Sequence, residues 1–490
     1  MDEHSASVAE TEQHKRHLAR GFNWLGSGII IARITDFATI IAVLTFLTKT
    51  QVGIGSLVLS IGMVVEAFDG LGTGDALIQA KSLNERQLQS LFWFIMALAF
   101  VVGALAVLLS PAVGWIYGME GIPIYFLALA AKQPLVGAAV IPIAMLNREL
   151  RYEKIAVVNV VSTFGAAMTR LGIAMAGGGS WALVGGYVSS GVFILAGTLW
   201  ASPFKPGWHF NFESIRPLLS FGLRSAGANI SDQIFKNIDY LLVGWFYGAA
   251  SLAVYRVAFD LAMEPAMAVG ALVNRTALPV FARVAAVPTH LREALLWSLQ
   301  RLTTLTTPCM TGLGLMAVPL MGLLHDSQGH SYAAAAVPLQ ILAVAAMLRV
   351  ATQLVTPVLM SSGRPGTAAK LSFATLLLLS GLILLAGLTV RGDAGLVAVS
   401  LAWLAIYPFL LIWSVNYLRA QWQVSPLALL KPFLAPGLVV ALMVAFTLVA
   451  RAFPFGGHAA ARIAAAVVAT GLAYGGLGLW GRKTTRDGAA

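Results

Sequence analysis

Long apolar segments alternate with short polar breaks along almost the whole chain. Each segment stays apolar for about 20 residues, which is the length a helix needs to cross a bilayer, and does not alternate over about 10 residues as a membrane strand does. The pattern therefore predicts an all-α integral membrane protein with about 14 transmembrane helices, at about 18–46, 52–79, 87–112, 121–147, 153–176, 180–203, 214–245, 249–275, 293–323, 334–360, 366–390, 394–418, 427–451 and 460–481.

Composition and charge agree with a membrane protein. Of the 490 residues, 58% are hydrophobic and only 11% are charged, which excludes a soluble fold. With the amino terminus in the cytoplasm, 21 of the 32 basic residues fall on the cytoplasmic side, four on the other side and seven inside spans. The positive-inside rule then places both termini in the cytoplasm and explains the net charge of +11 without a nucleic-acid partner.

The ends of the chain are polar. The first 17 residues lack the apolar core and the small-residue cleavage site of a signal peptide, so we expect residues 1–17 to form a cytoplasmic tail and residues 482–490 a second one.

Two parts of the chain resemble each other at a spacing of about 200 residues. The segment GFNWLGSGIIIARITDFATIIAVLTFLTKTQVGIGSLVLSIG, from Gly21, aligns with GLRSAGANISDQIFKNIDYLLVGWFYGAASLAVYRVAF, from Gly222. In each, a helix with polar residues precedes a short turn and a second helix with acidic residues at its middle. The alignment predicts two six-helix lobes, at 18–203 and 204–420, followed by two additional helices at 421–481; such repeats commonly build a transport site at the midplane.

Ionisable residues inside the spans are the candidates for function, because a charge at the bilayer centre costs several kcal/mol. They are concentrated in spans 1, 2, 7 and 8. An alternative interpretation is that they form salt bridges that only fix helix packing, and the spacings of Arg33 to Asp36 and of Arg256 to Asp260 allow this. The candidates are Arg33, Asp36, Glu66, Asp69, Asp232, Asp239, Arg224, Lys236, Arg256, Asp260 and Glu264, with Asp75 nearer the cytoplasmic end of span 2 and with Lys132, Arg170 and Arg349 as isolated cations elsewhere.

No pattern of an enzyme is found in the sequence. Walker A, HExxH and Gly-x-Ser-x-Gly motifs are missing, so we expect neither catalysis nor ATP-driven pumping by this chain alone. The single cysteine, Cys309, offers no disulfide, and His325 with His330 on one loop falls short of a metal site. The sequence predicts no cofactor and no metal.

Several segments resemble the polysaccharide transporter family, which belongs to the multidrug/oligosaccharidyl-lipid/polysaccharide exporter superfamily. They are GFNWLGSGIIIARI, TQVGIGSLVLSIGMVVEAFDGLGTGDALIQ, QLQSLFWF, LNRELRYEKIAVVNVVST and GGGSWALVGGY. The resemblance covers residues 18–420 approximately and is strongest in the first 200. It implies a flippase of the bacterial inner membrane that moves a lipid-linked oligosaccharide, usually on undecaprenyl pyrophosphate, by alternating access of two lobes. The family signature covers Asp69, Gly70 and Leu71 here without giving Asp69 a role.

A pyrophosphate head group needs cations along its path, since it cannot cross the bilayer centre bare. We expect Arg33, Arg224, Lys236 and Arg256 to bind it in a central cavity. The acids would pair with these cations or take up H⁺ or Na⁺ as a coupling ion: Asp36, Glu66, Asp69, Asp232, Asp239, Asp260 and Glu264. Besides this substrate, the expected partners are membrane lipids.

Two other functions are compatible with a multi-span chain. A cation-coupled multidrug exporter of the same superfamily would explain why spans 1, 2, 7 and 8 hold four basic but eight acidic residues. A polysaccharide polymerase or ligase would need a large catalytic loop outside the membrane, whereas the predicted outer connections reach only about ten residues. The flippase is therefore the leading hypothesis and the drug exporter the alternative.

Overall fold

The computed structural model describes residues 31–33, 35–119, 121–284, 287–422, 426–452 and 458–487. The described chain is helical except for short turns and one isolated β-bridge between His325 and Ser331. The helices are α1 (31–44, apart from residue 34), α2 (Lys49–Glu66), α3 (Thr73–Gln79), α4 (Glu85–Tyr117), α5 (Pro123–Arg148), α6 (Tyr152–Met175), α7 (Trp181–Ala201), α8 (Phe212–Val284), α9 (Pro288–Leu323), α10 (Ala336–Thr352), α11 (Val355–Ser361), α12 (Pro365–Thr389), α13 (Asp393–Trp422), α14 (Pro426–Ala452) and α15 (Ala459–Asp487).

The predicted fold class is confirmed. Twelve helical stretches of the described chain are long and apolar enough to cross a membrane. One of them, Asn229–Met267, runs through the predicted spans 7 and 8, and the first predicted span is described only from residue 31. Large apolar side chains point outward along these helices; Leu108 is 74% exposed and Trp115 is 84% exposed. An apolar exterior of this kind suits a lipid environment and not water.

Local sequence signals explain where several helices begin and end. Thr48 caps α2: its hydroxyl accepts from the Gln51 backbone N–H, and the Gln51 side chain accepts from the Thr48 backbone N–H. Asn84 and Gln87 form the same reciprocal cap at the start of α4. This capping box satisfies backbone donors that a helix start leaves without partners. Helix α4 ends at Gly118, whose φ of 63° suits glycine.

Four predicted spans differ from isolated straight helices. Span 2 is interrupted between α2 and α3, and span 10 is divided into α10 and α11. Spans 7 and 8 were expected as separate helices at 214–245 and 249–275, and within α8 the non-helical Gly248 (φ 79°, ψ 176°) separates two helical parts at that point. The expected break is therefore in the right place. It is smaller than a loop because a single glycine absorbs the change of direction.

The chain divides into two compact units, Met1–Ala250 and Ser251–Ala490. In the first unit, buried apolar residues from α3, α4, α5 and the start of α8 form a core that includes Leu77, Leu91 and Ile141. In the second unit, α9 packs against α14 and α15, with Met443 and Ala469 buried between them. The lobe limits and the internal repeat stay predictions, because the repeat from Gly21 begins outside the described residues.

Candidate functional site

The second predicted span contains a break at its acidic residues. Helix α2 ends at Glu66, and after two turn residues a short 3₁₀ segment, Asp69–Gly72, leads into α3. Its backbone is left-handed at Gly70, Leu71 and Gly72, with φ values of 68°, 42° and 71°. Left-handed residues cannot continue an α-helix, so backbone polar groups lose their helical partners here. Broken helices of this kind are tolerated in a membrane where the backbone is buried in protein or lines a cavity.

The break packs directly against α8. A β-carbon added at Gly72 would overlap the Gly222 carbonyl oxygen, and one added at Gly222 would lie 2.7 Å from the Leu71 carbonyl oxygen. The two backbones therefore touch without a side chain between them. Glycine is needed at Gly72 for a second reason, since its φ lies in the left-handed region.

Charged and polar side chains from α5 and α7 surround the end of α2. The Lys132 ammonium pairs with Glu66 Oε1, and the Lys132 side chain is only 4% exposed. The same ammonium lies 3.2 Å from the centre of the Tyr187 ring, a cation–π contact. With its amide nitrogen toward the carboxylate, Gln133 donates to both oxygens of Asp69, at 2.6 and 2.9 Å. These five residues form a cluster, which we call the break cluster.

A second ion pair lies on the other side of α7. Arg170 Nη1 on α6 is 2.8 Å from Asp36 Oδ1 on α1, and the Arg170 side chain is 9% exposed. The Arg170 stem packs against Gly186, where an added β-carbon would be 2.8 Å from the Arg170 β-carbon. Since Gly186 and Tyr187 are neighbours on α7, that helix contacts both buried cations.

The part of α8 that lies in the first unit carries an exposed charged stripe. Arg224 donates to the Ser220 carbonyl oxygen at 3.2 Å, and Lys236 pairs with Asp232 one turn away on the same helix. Arg224, Asp232 and Lys236 are all exposed, whereas Asp239 is fully buried. Of the four candidate charged residues in span 7, the structure therefore leaves three accessible. We call these three residues the α8 stripe.

The remaining predicted residues lie elsewhere. Arg33 is exposed on α1. In the second unit, Arg256 Nε is 3.2 Å from Asp260 Oδ2, and both side chains are less than one fifth exposed, at 17% and 18%. Glu264 follows on the same helix and is half-buried. The Arg256–Asp260 pair has the spacing that the sequence analysis noted for a salt bridge within one helix.

The sequence analysis did not include Lys132, Gln133, Arg170 and Tyr187 among the site residues. It noted Lys132 and Arg170 only as isolated cations on apolar spans. Both are buried next to an acid of span 1 or 2. A lone cation inside a span needs a carboxylate partner, so the sequence did indicate that Lys132 and Arg170 are paired. Which carboxylate each one contacts depends on helix packing.

The described residues contain no group of three His, Cys, Asp or Glu side chains that could hold a metal ion. The chemistry they offer is electrostatic. The first unit has a buried cluster of acids and a cation, a buried ion pair and an accessible charged stripe.

Comparison with known proteins supplies the family. The sequence profile described as "Polysaccharide biosynthesis protein" matches residues 43–337. The teichuronic acid biosynthesis protein TuaB of Bacillus subtilis (strain 168) is 26% identical over 82% of this chain and 83% of its own. The lipopolysaccharide biosynthesis protein WzxC of Escherichia coli (strain K12) is 24% identical over 73% of this chain and 71% of its own.

Solved structures show the fold. The lipid II flippase MurJ, in an inward closed conformation, superposes with a TM-score of 0.71 at 14% identity, over 92% of this chain and 97% of that one. An inward-facing multidrug transporter of the MATE family superposes with a TM-score of 0.62 at 13% identity, over 79% and 95% of the two chains. At these identities the likeness concerns the fold alone.

Proposed function

Because the chain belongs to the polysaccharide biosynthesis protein family, we propose that it is a flippase for a lipid-linked oligosaccharide. Its substrate is a repeat unit on undecaprenyl pyrophosphate, which it moves from the cytoplasmic to the periplasmic leaflet of the bacterial inner membrane. Alternating access carries the head group across. The family resemblance noted in the sequence is confirmed: the chain is a multi-pass membrane protein of polysaccharide biosynthesis, and its family comprises transporters and not enzymes.

The accessible charges of the α8 stripe are the observation that carries this proposal. Asp232 and Lys236 lie in the stretch Asn229–Met267, which is long and apolar enough to cross a membrane, Arg224 lies just before that stretch, and all three side chains are exposed. A charged side chain facing lipid tails costs several kcal/mol, so charged residues in spans face water or protein. An aqueous path along this face of α8 removes that cost. The same path would accept a charged head group that lipid excludes.

The chemistry of the stripe suits a phosphate. The guanidinium of Arg224 holds five N–H donors in a plane, and the contacts to Ser220 occupy two of them. A guanidinium binds two phosphate oxygens at once, whereas an ammonium acts as a point charge. Arg33 on α1 and Arg256 on α8 extend the set of basic residues in the spans. The names of the relatives, which refer to teichuronic acid and lipopolysaccharide biosynthesis, agree with a cell-surface polysaccharide precursor as cargo.

The proposal is tested by replacing the chromosomal gene with variants and measuring surface polysaccharide. We expect Arg224→Ala and Arg256→Ala to lose most export while the protein still inserts, and Arg→Lys at either position to restore part of it. Lys370→Ala is the control. Lys370 lies exposed in the second turn of α12, and its replacement should be nearly silent. Normal export from the Arg224→Ala, Arg256→Ala double variant at wild-type abundance would contradict the proposal.

The alternative function is cation-coupled export of drugs. The excess of acids in the break cluster is the observation that favours it, since amphipathic drugs are commonly cationic. Deleting the gene separates the two functions. Loss of surface polysaccharide with unchanged drug sensitivity supports the flippase, and increased drug sensitivity with normal polysaccharide supports the exporter.

A further inference from the structure

The break cluster has an unbalanced charge. It holds the carboxylates of Glu66 and Asp69 but a single ammonium, that of Lys132, which is paired with Glu66. Asp69 receives neutral amide donors from Gln133. Fully ionised, the cluster would carry one net negative charge among apolar helices, and a carboxylate without a cation in such a place favours its neutral form.

Two buried hydroxyls lie near the break: the Thr73 hydroxyl has no hydrogen-bond partner among the described residues, and the Tyr187 hydroxyl lies beside Glu66. Tyr187 is 9% exposed, and Thr73 is fully buried. The Tyr187 hydroxyl lies 3.3 Å from where a β-carbon on Gly62 would be, and Gly62 is one helical turn before Glu66 on the same face of α2. A hydroxyl beside Glu66 can donate to that carboxylate when the carboxylate is ionised.

From these observations we propose that the break cluster is a proton-binding site, with Asp69 as the group that gains and loses the proton. This inference rests on the proposed transport function and names the coupling ion and its site. The proton comes from hydronium in bulk water and returns to it. The partly exposed Glu66 side chain, at 22%, marks the side from which water reaches the cluster.

The two states differ in hydrogen bonding. With the proton bound, the Asp69 carboxyl donates to the Gln133 amide oxygen and accepts from its nitrogen, and Lys132 stays with Glu66. Without the proton, both carboxylates attract Lys132, and the Tyr187 hydroxyl becomes a donor for Glu66. The two arrangements therefore form a switch controlled by one proton.

Few other charges surround the break. Helix α7 carries no acidic or basic residue, and the cation of α6, Arg170, is paired with Asp36 of α1. The remaining charged residues on the helices packed against it are Lys49 on α2, Asp75 on α3, Glu85 and Arg86 in the first turn of α4, Arg148 at the end of α5, and Glu213, Arg216, Arg224, Asp232, Lys236 and Asp239 on the part of α8 in the first unit. Lys132 and Glu66 are therefore the charges that set the proton affinity of Asp69.

The break links this switch to the α8 stripe. Asp69 begins the left-handed segment whose Gly72 touches the backbone of α8 at Gly222. Arg224 lies two residues further along α8. A backbone contact without side chains transmits a shift directly, because nothing between the two chains can rearrange to absorb it. Binding or release of the proton thus moves the helix that carries the proposed head-group contacts.

Infrared difference spectroscopy of the purified full-length protein tests the site without substrate. We expect the wild type to show a C=O band of a protonated carboxylic acid that disappears as the pH is raised. Asp69→Asn should lack this band at every pH. Asp75→Asn, which removes an acid of the same span outside the cluster, should retain it. A band that persists in Asp69→Asn, or no titrating band in the wild type, would overturn the proposal.

Neighbouring charges give a second readout that a merely structural role would not produce. In Glu66→Gln the Lys132 ammonium can pair with Asp69, so the pH midpoint of the band should fall by about one unit or more. In Lys132→Met the cation is lost, so the midpoint should rise by a similar amount. Equal midpoints in the wild type and both variants would exclude the cluster as the proton site. These measurements are independent of export, so they can fail while the flippase proposal stands.

Discussion

Arg170 is a guanidinium buried inside a membrane span, and it is stable there because Asp36 neutralises it. The two residues are 134 positions apart in sequence, and their side chains are 2.8 Å apart. Removing one partner of a buried pair leaves the other charge without compensation, which costs more than the pair itself contributes. The pair therefore holds α1 against α6, chiefly because separating the two helices would leave the buried Arg170 charge without its carboxylate.

Asp36→Ala should lower the free energy of unfolding by about 2 kcal/mol or more, because Arg170 would remain buried without its carboxylate. Asp232→Ala is the matched control. Its partner Lys236 is 47% exposed, so water replaces the lost carboxylate and the change should stay below about 0.5 kcal/mol.

Thermal denaturation of the detergent-solubilised variants measures this difference. Restoring stability by the further change Arg170→Met in the Asp36→Ala background would support the account, since the uncompensated charge is then gone. Equal stability of Asp36→Ala and Asp232→Ala would contradict it.

The residue scale also shows where prediction from sequence stops. The hydropathy pattern identified Lys132 and Arg170 as cations inside apolar spans. It likewise identified Asp36, Glu66 and Asp69 as acids inside spans 1 and 2. Pairing them requires knowing which helix faces which. That depends on the packing of many weak apolar contacts along whole helices, which no local pattern in this chain records.

At the scale of elements, the break in the second span is the clearest departure from a regular helix. The sequence Asp69-Gly70-Leu71-Gly72 carries a signal for it, since two glycines close together allow left-handed backbone. Continuous hydropathy conceals the signal, because the residues around it are apolar enough for an unbroken span. The sequence analysis therefore predicted a single helix over 52–79, and the structure corrects it.

Gly72→Ala should destabilise the protein by about 2 kcal/mol or more. A methyl group at Gly72 would meet the Gly222 carbonyl oxygen, and its φ of 71° is strained for alanine. Gly74→Ala, two residues away, is the control. A β-carbon there would lie 3.9 Å from the Val140 side chain, an ordinary contact.

We expect Gly72→Ala to lower both the denaturation temperature and surface polysaccharide, and Gly74→Ala to leave both close to wild type. If both variants behave alike, the close approach of the break to α8 is not what stabilises this region.

At the scale of the whole molecule, hydropathy predicted most of the spans in their order along the chain, because the bilayer imposes a similar length on every helix. The likeness to the MurJ fold, at a TM-score of 0.71, extends over 92% of the chain although only 14% of residues are identical. A fold can persist at such low identity because span length and an apolar exterior restrict the sequence only weakly. Span length and an apolar exterior do not determine where charged residues lie inside the spans. These charged residues therefore distinguish this chain from others with the same fold.

Contacts between connections in the first unit agree with the predicted alternation of sides. Arg148, at the end of α5, donates to the carbonyl oxygens of Leu77 and Ala80 at 2.9 and 2.6 Å, which joins two connections that the sequence places in the cytoplasm. The Ser180 hydroxyl, before α7, donates to the Gln51 carbonyl oxygen at 2.9 Å, which joins two connections predicted on the other side. Neither contact would form if one span between the joined connections had been missed.

These contacts fix which connections share a side, and the positive-inside rule then predicts which side is the cytoplasm. The predicted topology places 21 of the basic residues outside the spans on the side of Arg148 and four on the side of Lys49. Reporter enzymes fused after Lys49 and after Asp326 should therefore be active in the periplasm, and one fused after Arg151 should be active in the cytoplasm. A periplasmic signal after Arg151 would contradict the predicted topology. The proposed proton site would then face the opposite side of the membrane.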